Sequence, residues 1–296
     1  MTSRQMDLPA PGQWTAVTPA GRSAIASIAA DPAGVLLASD FDGTLAPIVD
    51  DPRDSRLHPR SRAALDALGS RLGQMAIVTG RGVDVVRGLG HFAEPGFSRL
   101  LVLGQYGQER WDEATQKQDV PPSPIAVRAA MADLKALLDD EAEPFRGVVL
   151  EDKGRAIGVH TRRATHPDEA FVALMEPVSS IAGAHGLTIE PGRHVIEVRS
   201  STITKGDAMT SLVDQLGPRV VVMMGDDLGD LPAFSVVASL ADRGITGIRV
   251  VASSREQPAV TEQADVVCDG TDGIASWLEA VVQAVGPTGV HAVGQD

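Results

Sequence analysis

The chain has a single cysteine, Cys268, among 296 residues, so no internal disulfide can form and a reducing compartment suits it. That cysteine lies in the apolar run Val266-Val267-Cys268, which reads as a buried strand. Positive charge is also scarce: 26 Lys and Arg stand against 39 Asp and Glu, a formal net charge of -13. Nucleic acid and anionic membrane surfaces would both be repelled, so neither is expected as a partner, and any anionic ligand needs a locally positive site. Long apolar runs are missing as well. No stretch approaches the ~20 residues of a membrane-spanning helix, and the N-terminal region, rich in Pro, Gly and Thr, has no continuous apolar segment of signal-peptide type. There is no internal repeat and no extended low-complexity segment. A soluble, cytoplasmic and monomeric protein with a small-molecule ligand is expected.

What is present begins with Val35-Leu36-Leu37-Ala38-Ser39-Asp40-Phe41-Asp42-Gly43-Thr44-Leu45, an apolar strand that delivers two carboxylates to a glycine turn. Gly43 releases the backbone from strand geometry, so Asp40 and Asp42 can both border one crevice beyond the strand. Ligands of open α/β sheets bind there, outside the carboxyl ends of the strands. Asp is also a common turn and cap residue, so this motif alone does not decide its use. A second apolar run, Met75-Ala76-Ile77-Val78, ends in Thr79-Gly80-Arg81, where a hydroxyl and backbone amides suit a phosphate. Thr204-Lys205-Gly206-Asp207 opens a helical segment, and Val220-Val221-Val222-Met223-Met224 runs into Gly225-Asp226-Asp227-Leu228-Gly229-Asp230.

The length allows two compact units. A loose N-terminal extension, helical from about 21 to 30, covers residues 1–30. Apolar residues at helical spacing between Arg60 and Leu72 join the first two strands in a right-handed βαβ unit, and Leu100 to Leu103 adds a third strand. Residues 112–124, polar and ending in Pro121-Pro122-Ser123-Pro124, read as a linker. An α-β-β-α-β-β segment follows, and the parallel core resumes at Lys205. The division expected is a core over 31–112 and 203–286, an inserted α+β domain over 113–202, and a disordered tail over 287–296.

The order D-x-D-G-T-L, T-G-R, a lone Lys, then G-D-D-x-x-D resembles the four motifs of the haloacid dehalogenase superfamily of phosphohydrolases. That resemblance implies a Rossmann-like α/β core with a parallel sheet and a C2-type cap. Asp40 is then the nucleophile that forms an aspartyl-phosphate, and Asp42 the general acid and base. Thr79, Gly80 and Lys205 hold phosphoryl oxygens. Magnesium suits the oxygen-only donors, with the carboxylates of Asp40 and Asp226 and the backbone carbonyl of Asp42 as its ligands and Asp230 orienting a metal-bound water. No catalytic role is assigned to Asp227.

The inserted segment carries Glu151-Asp152-Lys153, His160-Thr161-Arg162, Pro191-Gly192-Arg193 and Glu197-Val198-Arg199. Alternating charges on strands commonly form a solvated face, but acids and bases together are also what a polyol needs. With D-F-D-G-T-L-A-P-I-V-D-D-P at 40–52, G-x-x-G at 104–107 and P-G-x-x-V-I-E-V-R at 191–199, they resemble the trehalose-phosphate phosphatases from about Val35 to Val282. By that resemblance Glu151, Lys153, Arg162, Arg193 and Glu197 contact the sugar, and the cap closes over the core with magnesium bound. The chain departs from the family at Arg193, usually Lys, at Tyr106, often His, and at Gly229 and Leu231, commonly Thr and Glu. Sucrose 6-phosphate or mannosyl-3-phosphoglycerate as substrate, and a phosphosugar-binding regulator without turnover, remain alternatives on the residues alone.

Overall fold

The computed structural model describes residues 9–49, 51–92, 97, 99–139, 145–192, 194–253 and 258–286. Arg193, the first eight residues and the tail at 287–296 lie outside the described residues. Contacts divide the chain into two units, Met1–Asp119 with Thr204–Asp296, and Val120–Ile203.

The first unit is built on one sheet. Its strands are β1 (Trp14–Ala16), β2 (Val35–Ser39), β3 (Gln74–Val78), β4 (Leu100–Gly104), β5 (Glu109–Asp112), β6 (Lys117–Asp119), β11 (Val220–Gly225), β12 (Thr246–Ser253) and β13 (Val266–Asp269), in the spatial order β1-β13-β12-β11-β2-β3-β4-β5-β6. From β13 to β4 every neighbouring pair is parallel; β1 closes one edge antiparallel, and β5 with β6 closes the other. Strands covered on both faces should be apolar throughout. Those reading VLLAS, LLVLG and VVVMMG are buried at every position.

Two apolar layers flank this sheet. Helices α1 (Pro19–Ala30), α2 (Pro59–Gly69), α3 (Val83–Gly90) and α9 (Gly270–Val285) cover one face through Ile28, Leu68, Val86 and Trp277. Helices α6 (Lys205–Leu216), α7 (Leu231–Ser239) and α8 (Pro258–Thr261) cover the other through Met209, Phe234 and Val260.

Two expectations are corrected. The N-terminal extension is not wholly loose before its helix: Trp14, Thr15 and Ala16 pair with Cys268, Val267 and Val266, and Thr18 caps α1 by accepting from the Gly21 N–H. Part of the stretch read as a linker, Lys117–Asp119, is a strand paired with β5. Three polar, exposed residues carry no apolar alternation, so their pairing is a tertiary matter.

The second unit has α4 (Ile125–Leu138), β7 (Val149–Asp152), β8 (Ala156–His160), α5 (Pro167–Ala184), β9 (Thr188–Gly192) and β10 (Val195–Arg199), with an antiparallel sheet in the order β7-β8-β10-β9. Its alternation is clean. Ile157, Val159, Ile196 and Val198 are buried with Leu134, Leu174 and Val178 of the helices, which leaves Glu151, Gly158 and Glu197 on the opposite face.

Candidate active site

Chain order reverses at β2: β3 and β4 lie on one side of it, β11 and β12 on the other. A crevice opens at such a point beyond the carboxyl ends of the strands, and Asp40 is the first residue past β2. Its N–H donates to Met224 O at 2.8 Å, which ties it to the end of β11. Gly43 then turns with φ +71, where a Cβ would stand 2.0 Å from Asp226 Oδ2. A residue with a side chain would be strained there and would expel the Asp226 carboxylate, so glycine lets the two loops touch. Thr44 Oγ1 donates to Asp226 Oδ1 across the same contact, at 3.1 Å.

Lys205 is the first residue of α6, whose start is fixed by a capping box between Thr204 and Asp207. Its ammonium is buried, with Asp40 Oδ2 at 2.8 Å and Asp230 Oδ1 at 2.7 Å. Burial alone would lower its pKa, but Asp230 and Asp40 outweigh burial and hold it above the usual lysine range. The group is therefore a fixed cation. Asp230, wholly buried, accepts from Lys205 with one oxygen and from the Asp226 and Asp227 N–H groups with the other. One oxygen thus shapes the loop after β11 and the other anchors Lys205 to it.

Asp42 is held differently. Arg81 Nε donates to its Oδ2 and Nη2 to its Oδ1, each at 2.6 Å, and Ser55 Oγ donates to Oδ1 at 3.2 Å. This bidentate fork fixes both position and orientation of the carboxylate. The T-G-R motif contained Arg81, but nothing in the sequence says that its partner lies 39 positions earlier. Thr79, buried at the end of β3, accepts from the Arg81 N–H with Oγ1, and its carbonyl accepts from the Tyr106 N–H. Gln105 and Tyr106 both have positive φ, 49° and 60°, and the Tyr106 hydroxyl lies 2.8 Å from where a Gly80 side chain would begin. Consecutive left-handed residues with side chains are costly, and such strain gathers at functional sites.

Ligand oxygens of Asp40, Asp227 and Asp230 lie within 4.8 Å of one another. Asp227, left without a role by the sequence, thus joins the cluster, while Asp226 faces Gly43 and Thr44. Burial pushes the Asp40 carboxyl up; Lys205 opposes this, and the neighbouring acids Asp230, Asp227 and Asp226 reinforce it. Burial, with Asp230 and Asp227 beside it, likewise raises Asp226 to about 8. Crowded oxygen donors that resist ionisation gain from a hard divalent cation, so these residues fit magnesium.

In the second unit Glu151, Lys153 and Glu197 come together on the sheet face away from the helices: Lys153 pairs with Glu197, and its Nζ is 3.9 Å from Glu151 Oε2. Arg162 is exposed in the turn after β8.

A family model, trehalose-phosphatase, matches residues 38–270. The chain belongs to the trehalose-phosphatase family. Among curated relatives, the probable trehalose-phosphate phosphatase of Sinorhizobium fredii is 32% identical over 233 residues, 76% of this chain and 82% of that one. The trehalose-phosphate phosphatase of Mycobacterium tuberculosis is 34% identical over 208 residues, 67% of this chain and 50% of its own length, so the chain spans about half of that relative. The solved C-terminal domain of a Candida albicans trehalose-6-phosphate phosphatase superposes with a TM-score of 0.71 at 21% identity, over 92% of this chain and 99% of that one. At that identity the likeness establishes the fold of this trehalose-phosphatase family member, a mostly parallel sheet between helices.

Proposed function

We propose that this chain hydrolyses trehalose 6-phosphate to trehalose and phosphate, as a cytoplasmic, monomeric enzyme that uses magnesium. The observation that carries the reading is the buried Asp40–Lys205 pair, which sets a carboxylate and a fixed cation side by side at the mouth of the sheet. Phosphate monoesters hydrolyse extremely slowly in water, so a catalyst must bring an in-line nucleophile and neutralise the equatorial oxygens. An Asp40 oxygen attacks phosphorus, and the sugar oxygen leaves with a proton from Asp42. Asp42 then takes a proton from water, which attacks phosphorus and restores Asp40.

Lys205, the Thr79 hydroxyl and the Gly80 N–H hold the phosphoryl oxygens. Asp40 and Asp226, with the Asp42 carbonyl, would hold the cation; Asp227 is a further oxygen donor beside Asp40, and Asp230 steadies the loop. When bound, magnesium supplies charge neutralisation at the phosphoryl oxygens. Glu151, Lys153, Arg162, Arg193 and Glu197 recognise the disaccharide, with carboxylates accepting from hydroxyls and the cations donating.

The test is phosphate release, with and without magnesium, from trehalose 6-phosphate, sucrose 6-phosphate, mannosyl-3-phosphoglycerate and glucose 6-phosphate. A magnesium-dependent preference for the trehalose ester is expected. Preference for another ester overturns the sugar assignment and leaves the phosphoryl chemistry; no release from any of them overturns catalysis and leaves a phosphosugar-binding regulator.

A further inference from the structure

Across the open face of the second sheet, Glu151 on β7, Gly158 on β8, Glu197 on β10 and Glu190 on β9 stand at one level. Three carboxylates in one row repel, and like charges facing across strands destabilise a sheet. Each is therefore met by a donor: His160 at Glu151, Lys153 at Glu197, and Arg199 at Glu190. The row has one gap, at Gly158. Adjacent strands are ~4.8 Å apart, so the backbones of Glu151 and Glu197 stand about 10 Å apart across that gap.

The gap is occupied from one side by a neighbour. A Cβ on Gly158 would lie 2.7 Å from His160 Nε2 and 3.3 Å from Glu151 Oε2. The imidazole therefore rests over the bare Cα, and from there its Nε2 meets Glu151 Oε2 at 2.8 Å. An ionised carboxylate has no proton to give, so Nε2–H is the donor. Gly158 is an ordinary strand position rather than one of the positive-φ glycines, so its backbone conformation does not call for glycine. The space does.

Resting on the reading of the second unit as the sugar-recognition element, we propose that Gly158 and His160 are positioning residues that set substrate specificity. The missing side chain at 158 gives the imidazole its seat, and the imidazole aims the Glu151 carboxylate at a sugar hydroxyl. A purely structural cross-strand pair would make the same contact but would leave substrate choice untouched.

Steady-state kinetics on the full chain separate these. Gly158→Ala and His160→Ala should each raise KM for trehalose 6-phosphate about tenfold, the size of one misplaced hydrogen bond to a charged group, with kcat little changed. Hydrolysis of p-nitrophenyl phosphate, which has no sugar, should change less than about twofold, on the same hydrogen-bond scale. The double variant should be close to His160→Ala, because without the ring the added methyl meets only the end of the flexible Glu151 side chain, at 3.3 Å. His160→Gln, whose amide can still donate to Glu151, should recover much of the loss, and thermal unfolding of Gly158→Ala should match the wild type. An unchanged KM in Gly158→Ala, strictly additive effects, or equal losses on both substrates would overturn the inference. A wild-type chain with no preference for trehalose 6-phosphate over p-nitrophenyl phosphate would remove the sugar reading itself, and this inference with it.

Discussion

Arg81 acts on the chemistry through one other side chain. Its fork holds the Asp42 carboxylate, the proposed general acid and base, in one orientation, so Arg81→Ala should lower kcat for trehalose 6-phosphate by about 10²-fold, the low end of what general acid–base catalysis supplies. The fall should be smaller with p-nitrophenyl phosphate, whose leaving group needs no proton, because only the activation of water by Asp42 is then affected. Comparing the two substrates in one variant checks this, and an equal fall on both without a burst of p-nitrophenol would overturn the leaving-group role of the Arg81–Asp42 pair. Asp40→Asn should abolish turnover on every ester while the far-ultraviolet circular dichroism stays unchanged, since Asp230 still pairs with Lys205. Removing Lys205 is a less clean experiment. It strands a buried carboxylate and should cost about 3–5 kcal/mol of stability, seen as a lower urea midpoint. Cys268 is wholly buried, and burial pushes its thiol well up, so it should resist alkylation by iodoacetamide in the native protein and react once unfolded.

Elements place these residues through their ends. Helix α6 presents Lys205 because Thr204 and Asp207 stop the chain from fraying at that turn. Thr204→Ala should cost about 1 kcal/mol in urea unfolding. The N-terminal strand and helix are tied to the sheet at Asp265, which accepts from Thr18 Oγ1 at 2.7 Å and from Arg249 Nε at 2.9 Å. Burial opposes ionisation of Asp265, but Arg249 and Thr18 outweigh it and hold the carboxyl below the usual range. A lowered carboxylate stabilises the fold above its unfolded pKa and loses that contribution as pH falls through the folded value. Asp265→Asn should therefore flatten the acid limb of the stability curve below about pH 4, where an unperturbed Asp titrates; an unaltered limb would place the acid sensitivity elsewhere.

At the scale of the whole molecule, the acidic loops after β2 and β11 come from positions more than 180 residues apart, joined through Thr44 and Asp226. A cation bound there stabilises the folded chain by mass action and leaves the unfolded chain unaffected. Magnesium at about 100 times its Kd should add ~2.7 kcal/mol, read as a rise in Tm, and Asp226→Asn should abolish the rise. Chelation should stop turnover without unfolding the protein, because each unit has its own core of packed apolar side chains.

The sequence by itself determined the parallel strands, because buried strands must be continuous apolar runs and those runs end in Asp40, Thr79 and Gly225. The order of the motifs at those strand ends is in the sequence too, and its resemblance to a phosphohydrolase superfamily is what implied phosphoryl chemistry. Short elements escaped it: β1 and β6 are too brief for a period to register, and their pairing depends on edges supplied by β13 and β5. Only the tertiary structure decided the partnerships, Arg81 with Asp42, Lys205 with Asp230, His160 over Gly158 beside Glu151. A side chain's identity fixes what it can donate or accept, whereas the group it meets is set by strand register and chain crossing, which bring distant positions within hydrogen-bond reach.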